Sequence, residues 1–262
     1  MPRRDTPNFA VANFKPAGPM RVSLFITCLN DQFFPQVGMA MLKTLRRLGV
    51  EVVFNEAQTC CGQPAFNSGY PDEARALAEH FLEVFERERA DFIVAPSGSC
   101  TAMVRNFYQE LFHLDEDERW RRSLERVRLR LREFSEFVVQ ELKCEDVGAR
   151  FPARVTYHDA CHLLRELHIA DEPRRLIRSV RDIDFVEMQA PDTCCGFGGT
   201  FAVKYGEISN AIMQEKLSRI TESGAQYVIA NDSSCLMQIA GGLSRAGSQV
   251  QTMHLAELLA HE

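Results

Sequence analysis

The tripeptide Cys-Cys-Gly occurs twice, as Cys60-Cys61-Gly62 and as Cys194-Cys195-Gly196, and each copy has one cysteine far upstream and another far downstream. Cys28 and Cys60 are separated by 31 residues and Cys61 and Cys100 by 38. In the second copy 32 residues separate Cys161 from Cys194, and 39 separate Cys195 from Cys235. Corresponding cysteines are offset by 133, 134, 134 and 135 positions, so the two sets of four drift by only two residues. Self-similarity at such a period marks an internal duplication, and the chain must fold in much the same way twice. Cys144 has no counterpart and reads as a structural thiol.

Hydrophobic patterning supplies the elements between the cysteines. Arg21 to Thr27 (RVSLFIT) is a short β-rich apolar run, predicting a buried strand with Cys28 directly after it. Val37, Met41, Leu45 and Leu48 recur at helical spacing, and Gly49 fits the residue that ends the helix. EVVFN (51–55) predicts a second strand ahead of Cys60-Cys61. Pro71 then opens a helix with Leu77, Phe81 and Phe85 on one face. FIVAP (92–96) predicts a third strand, leading through Ser97-Gly98-Ser99 into Cys100. The second half repeats this order with RVTYHDA (154–160), DFVEM (184–188) and QYVIA (226–230), the last followed by Asn231-Asp232-Ser233-Ser234-Cys235. The ends also agree, Phe134–Phe137 matching His254–Leu258.

Strands alternating with helices predict an α/β protein of two tandem Rossmann-like repeats, each a small parallel sheet with flanking helices, related by a pseudo-two-fold axis. The expected organisation is a flexible leader over residues 1–20, a first repeat over 21–147 and a second over 148–262, with the boundary near Gly148. The first repeat carries an extra charged helix over 115–133, with Leu124, Val127, Leu131 and Phe134 on its apolar face.

Every cysteine group follows a predicted strand. Loops beyond the C-terminal ends of parallel strands converge over a crevice, so cysteines distant in sequence are expected to meet there, one site per repeat. Thiolates bind soft metals: iron–sulfur clusters, zinc or copper(I). Adjacent cysteines reach one centre only where the backbone turns, which Gly62 and Gly196 permit. Cys100 and Cys235 follow helix-starting residues, a position expected to lower a thiol pKa. His158 and His162 flank Cys161 and are candidates to hydrogen-bond to a bound group or to supply protons; the first half has no histidine at the matching places. Phe197-Gly198-Gly199 lacks the spacing of a dinucleotide fingerprint. The Cys-x-x-Cys steps of ferredoxins and the short steps of structural zinc sites are absent, so spacing points to a metal without naming it.

Composition narrows the setting. A net charge of -6 over 262 residues argues against a nucleic-acid binder. No apolar run approaches the ~20 residues of a membrane helix, and the N-terminus has no secretory pattern. A cytoplasmic location is therefore expected, where cysteines serve metal or redox chemistry more often than disulfides.

The stretches FITCLNDQFFPQVGMA, TCCGQPAFNSGY, PSGSC, TYHDACH, CCGFGGTFAVK, SSCLMQI and MHLAELL together resemble the CCG-domain family, cysteine-rich proteins related to the B subunit of heterodisulfide reductase, and most closely its lactate-utilization branch. The resemblance covers nearly everything from residue 21 onward. It implies iron–sulfur ligation by Cys28, Cys60, Cys61 and Cys100, and by Cys161, Cys194, Cys195 and Cys235, one 4Fe-4S cluster per repeat, easily lost in air. It also implies electron transfer as one component of an oxidoreductase that converts L-lactate to pyruvate, alongside a ferredoxin-like iron–sulfur protein and a third subunit. The heterodisulfide reductase branch ends each motif in Cys-x-x-Cys. Here Met103 and Gln238 stand at the final positions, implying a conventional four-cysteine cluster or a site with one open iron in place of a five-cysteine cluster. Two other readings are a thiol or heterodisulfide reductase and a zinc-stabilised interaction module.

Overall fold

Among the described residues, eight short strands form two sheets. In the first repeat β1 (Arg21–Leu24), β2 (Glu51–Phe54), β3 (Phe92–Ala95) and β4 (Leu131–Glu133) pair in the order β2-β1-β3-β4. In the second, β5 (Arg154–Tyr157), β6 (Asp184–Phe185), β7 (Tyr227–Ala230) and β8 (Gln251–His254) pair as β6-β5-β7-β8. All pairings are parallel, and the registers correspond: Val22 sits between Val52 and Phe92 as Val155 sits between Phe185 and Tyr227. This computed structural model describes residues 20–112 and 118–262; the expected leader lies outside them except for Met20.

The covering helices of the first repeat are α1 (Cys28–Phe33), α2 (Pro35–Arg47), α3 (Gln63–Asn67), α4 (Pro71–Arg87), α5 (Gly98–Ala102), α6 (Tyr108–Leu111), α7 (Glu118–Arg128) and α8 (Phe134–Glu136). Single π-helical turns join α5 to α6 and extend α8. The second repeat has α9 (Cys161–Arg165), α10 (Asp171–Ser179), α11 (Thr200–Lys204), α12 (Gly206–Glu222), α13 (Ser233–Arg245) and α14 (Leu255–Ala260). Pro at the first position starts both α2 and α4, where its missing N–H costs nothing. Each then buries one stripe: Val37, Met41 and Leu45 in α2, Ala74, Ala78, Phe81 and Phe85 in α4.

The expectation of a charged helix over 115–133 needs correction. The helix α7 ends at Arg128, and Leu131–Glu133 is a strand on the outer edge of the first sheet; residues 115–117 lie outside the described residues. Leu131 is not on the helix face with Leu124 and Val127 but pairs with Ile93. Its charged neighbours are tolerated because each is bound: Arg132 Nε donates to Glu141 at 2.7 Å, and Glu133 accepts from the Ser135 N–H at 2.8 Å as the N-cap of α8. β8 occupies the matching edge and ends in His254, the N-cap of α14.

The repeats share one hydrophobic core. Val22, Met41 and Phe137 cluster with Val155, Ile177 and Leu258, and α14 packs against α2. The Arg47 guanidinium seals that contact by donating to the carbonyls of Val147, Leu259 and Ala260 at 3.0–3.2 Å. Across the pseudo-two-fold axis, contacts recur in pairs. His254 Nε2 donates to the Pro96 carbonyl at 2.8 Å, and Asn231, at the position matching Pro96, donates to Glu133 at 2.8 Å. Gly98 abuts Leu163, and Ser233 donates to Asn30, its counterpart pair. These residues all follow the C-terminal ends of strands, so the two sheets meet end to end at the edge where the cysteines lie.

Candidate metal centre

The CCG turn is built the same way in both repeats. Gly62 and Gly196 each adopt φ of +83°, a left-handed conformation that glycine takes without Cβ strain. The turn aims the Gly62 N–H at Cys60 Sγ (3.4 Å) and the Gly196 N–H at Cys194 Sγ (3.3 Å). A buried hydroxyl then holds each turn in place: Tyr108 donates to the Cys61 carbonyl at 2.9 Å, Ser209 to the Gly196 carbonyl at 2.8 Å. The upstream cysteines Cys28 and Cys161 each start a short helix, and the downstream ones lie in the first turn of α5 and α13.

These turns gather each set. The Cys28 thiol donates to Cys60 Sγ at 3.5 Å, and Cys61 lies against both Cys60 and Cys100. In the second repeat Cys195 lies against Cys194 and Cys235. Cys61, Cys100, Cys195 and Cys235 are buried, while Cys28, Cys60, Cys161 and Cys194 are half-buried. The expected crevices, one per repeat, are joined. A cavity of about 530 Å³ is lined by every one of the eight cysteines except Cys60, which faces a smaller cavity of about 390 Å³ beside Cys28. The sheets meet end to end, so the space over one set of strand ends continues over the other. Cys144 lies apart and donates to the Asp146 carbonyl at 3.3 Å.

Electrostatics distinguish the sets. The Cys28 and Cys61 thiols and the Gly62 N–H converge on Cys60, holding that thiol well below its ordinary value. Cys28 is pushed up by donating to Cys60 and by burial, and Cys61 by its contacts with Cys100 and Cys60 and by burial. The second set has no such focus. Cys194 is pushed up by its contact with Cys195 and by burial. Contact with Cys195 draws Cys235 down, but full burial and the charge of Asp232 outweigh it, so Cys235 sits above the ordinary thiol range. The lowering expected from its helix-start position is therefore overcome by desolvation.

The two histidines part company. His162 is half-buried on the cavity wall, with Nδ1 3.5 Å from Cys161 Sγ and Nε2 3.5 Å from the Gln63 side-chain amide. His158 is 1% exposed and lies beneath the second set. Neither of its ring nitrogens has a hydrogen-bond partner among the described residues. Burial pushes its pKa down to about 3, and the nearby Lys216 ammonium adds to this. The Pro191 carbonyl favours a charged ring from outside hydrogen-bond geometry and accepts instead from the Asp159 N–H at 3.0 Å. One His158 ring nitrogen and the Cys195 and Cys235 sulfurs lie within 4.8 Å of one another.

Three further residues serve the site without having been singled out for it in the sequence. Asp232 reaches from the second repeat into the first, accepting from the Ser97 hydroxyl (3.1 Å), the Ser99 hydroxyl (3.0 Å) and the Ser99 N–H (2.9 Å) at the start of the helix that carries Cys100. Gln63, the first residue of α3, donates to the Ser99 carbonyl at 3.2 Å. Lys216 is fully buried on α12 and donates to the Pro191 carbonyl at 3.0 Å. Burial lowers its pKa to about 8 against the upward pull of Asp159 and Cys195. Aligning the two repeats would have exposed Lys216, because Phe81 holds the same place in α4. Met103 and Gln238, at the positions where a fifth cysteine could stand, do not line the cavity: Met103 is buried in a hydrophobic cluster of the first repeat with Phe81 and Tyr108, and Gln238 donates to Ser209 at 3.2 Å. Two thiol sets around a common cavity, with one orphaned imidazole beneath the second, make a donor set suited to thiophilic metal groups.

The cysteine-rich domain family CCG matches this chain twice, over residues 22–105 and 155–240. Curated relatives include lactate utilization protein A of Exiguobacterium sp. (strain ATCC BAA-1283 / AT1b), 45% identical over 91% of this chain and 96% of its own. The protein of that name from Geobacillus kaustophilus (strain HTA426) is also 45% identical, over 92% of this chain and 98% of its own. Among solved structures, a hypothetical protein from Helicobacter pylori superposes with a TM-score of 0.62 at 10% identity, over 92% of this chain and 48% of that one. This chain thus spans about half of that protein, and the likeness is one of fold alone.

Proposed function

The chain belongs to the cysteine-rich CCG domain family, and on that premise we propose that it is an iron–sulfur electron-transfer subunit of a cytoplasmic system oxidising L-lactate to pyruvate. The observation that carries the reading is the meeting of the two cysteine sets at one cavity between the repeats, lined by seven of the eight thiols. The name borne by relatives 45% identical over nearly the whole chain supports the lactate assignment. Cys28, Cys60, Cys61 and Cys100 would hold one cluster, and Cys161, Cys194, Cys195 and Cys235 the other. Bound there, an iron–sulfur cluster supplies a one-electron store.

The chain's own residues prepare such sites in three ways. Two thiols of each set are buried and two are half-buried, so each site is anchored in the fold yet reaches its surface. The Gly62 and Gly196 N–H groups donate to sulfur and stabilise thiolate. Asp232 ties the loop of the first set to that of the second, so the two sites keep a fixed relation. In this reading the chain passes electrons between a ferredoxin-like protein and a third subunit; no helix among the described residues is long and apolar enough to cross a membrane.

The test is anaerobic purification followed by assay of iron and acid-labile sulfide, with EPR of the dithionite-reduced protein. Iron and sulfide in comparable amounts, with cluster signals that also develop when lactate and the two partner proteins are added, are expected. A second reading, zinc in the second repeat, is favoured by the compact grouping of His158, Cys195 and Cys235. Zinc without iron or sulfide would select it and overturn the first.

A further inference from the structure

The two cysteine sets are near copies, but the residues beneath them are not. Phe25 stands three positions before Cys28, and His158 three before Cys161. Phe81 stands eleven positions after Tyr70, the residue preceding α4, and Lys216 eleven after Tyr205, the residue preceding α12. In the first repeat the pair is an edge-to-face aromatic contact, Phe25 on Phe81 at 4.8 Å between centroids, with Phe85 at 5.5 Å. In the second the same slots hold an imidazole and an ammonium.

A fully buried imidazole with both nitrogens unpaired costs about 1–3 kcal/mol for each unsatisfied group relative to a paired one. A phenyl ring would fill the slot without that penalty, as Phe25 does in the first repeat. Buried polar atoms left in this condition call for a partner that the polypeptide does not supply, such as an ion. The geometry says where the partner would be: a His158 ring nitrogen lies within 4.8 Å of both Cys195 Sγ and Cys235 Sγ, and all three residues are buried.

We propose that His158 is a direct ligand of the metal centre of the second repeat, binding beside Cys195 and Cys235 through one ring nitrogen. The half-buried Cys161 and Cys194 supply thiolate from the cavity side. The first repeat, with Phe25 in that position, has only thiolates. A neutral imidazole brings one negative charge fewer than a thiolate, and replacing thiolate ligands with histidine raises the potential of an iron–sulfur centre. The two centres would then differ in ligand set within one chain, four thiolates in the first and four thiolates with an added imidazole in the second, so exchanging that imidazole for a thiolate should lower the potential of the second centre alone. The proposal rests on the reading above only for the identity of the metal.

Isotopic labelling tests it. The anaerobic reduced protein, prepared with natural-abundance and with 15N-labelled histidine, is compared by pulsed EPR with the variants His158→Phe, His158→Cys and His162→Leu. Expected is a nitrogen coupling in the wild type that changes with the label, survives His162→Leu and disappears in His158→Phe, which installs the residue the first repeat already uses. His158→Cys should keep its iron and lower the midpoint potential of one centre only. A loaded wild-type protein without nitrogen coupling overturns the proposal, as does coupling that persists in His158→Phe or is lost in His162→Leu instead. Should the protein carry zinc and no iron, the electron-transfer reading fails but this one is still decided. Zinc-edge absorption showing an imidazole shell lost in His158→Phe supports ligation, and an all-sulfur shell overturns it.

Discussion

The first cysteine set rests on aromatic rings, Phe25, Phe81 and Phe85, and the second on His158, Lys216 and Ile220 at the matching places. Under the first set the bed contributes packing: each edge-to-face pair adds about 0.5–1.5 kcal/mol beyond its buried area. Under the second it contributes charge. Lys216 lies close enough to Cys195 and Cys235 to be felt electrostatically, and beyond it Arg174 is held between Asp159 (2.8 Å) and Glu187 (2.7 Å). A duplicated scaffold has kept its sulfur donors in register while diverging in what lies below them. Ligand positions are set by turns that tolerate little change, whereas the layer beneath changes the electrostatics without moving a sulfur.

The strongest test of that contrast removes one set at a time. Cys61→Ser and Cys195→Ser each delete a buried thiol contacting its neighbours, and each should lower iron per chain by about half while leaving the other centre's EPR signal intact. Complete loss of iron in either variant would show that the sets are not separate sites. Next in size is the bed itself. Phe81→Ala should cost about 3–5 kcal/mol in urea unfolding, as truncation of a fully buried aromatic does. Lys216→Met should cost little or be stabilising at pH 7, because it removes a buried charge and leaves the Pro191 and Ala190 carbonyls their N–H donors from Asp159 and Thr193. The sign with pH follows from Lys216 titrating near 8 in the fold against 10.5 unfolded. Between those values the unfolded chain holds the extra proton, so the wild type gains stability relative to Lys216→Met as pH rises from 8 to 10.5.

A smaller difference separates the two turn glycines. A Cβ on Gly62 would stand 3.1 Å from the Ala74 carbonyl oxygen, whereas one on Gly196 would stand 2.4 Å from the Ser209 carbonyl oxygen, in the backbone of α12. Both alanine variants carry the left-handed penalty of about 1–2 kcal/mol. Gly196→Ala must displace helix backbone much further than Gly62→Ala, so it should be the worse by about 2 kcal/mol in thermal or urea unfolding. Equal losses would mean that α12 can shift away from its CCG turn.

Much of this was legible in sequence because the information is local and doubled. Strand, turn and cysteine follow one another within a few residues, and each unit occurs twice, so the α/β fold and the two sets of four could be read directly. The edge strands β4 and β8 escaped, being three or four residues long and largely polar: Leu131-Arg132-Glu133 and Gln251-Thr252-Met253-His254 show no apolar run. The role of Asp232 escaped for another reason. Its partners Ser97 and Ser99 are 135 and 133 residues away, and only the docking of two sheet edges brings them together. Desolvation is likewise invisible to a motif, which is why the helix-start position of Cys235 predicted the wrong direction for its thiol.

The last contrast concerns the caps that end the edge strands, where the pseudo-symmetry places Glu133 opposite His254. Both are fully buried N-caps that bond across to the other repeat, yet burial acts on an acid and a base in opposite senses. Glu133 is raised to about 7, its hydrogen bonds to Ser135 and Asn231 offsetting only part of the desolvation. The folded chain therefore holds a proton that the unfolded chain has released, and stability is lost as pH rises from 4.5 through 7, by at most about 3 kcal/mol. His254 is lowered from 6.5 by burial, so the unfolded chain takes up a proton that the folded one refuses, and stability is lost as pH falls below 6.5. Chemical denaturation across pH 4.5–8 should show Glu133→Gln removing the loss on the rising side and His254→Gln removing the loss on the falling side. Parallel profiles for the two variants would mean that the caps share one environment and that the asymmetry between repeats is confined to the layer under the cysteines.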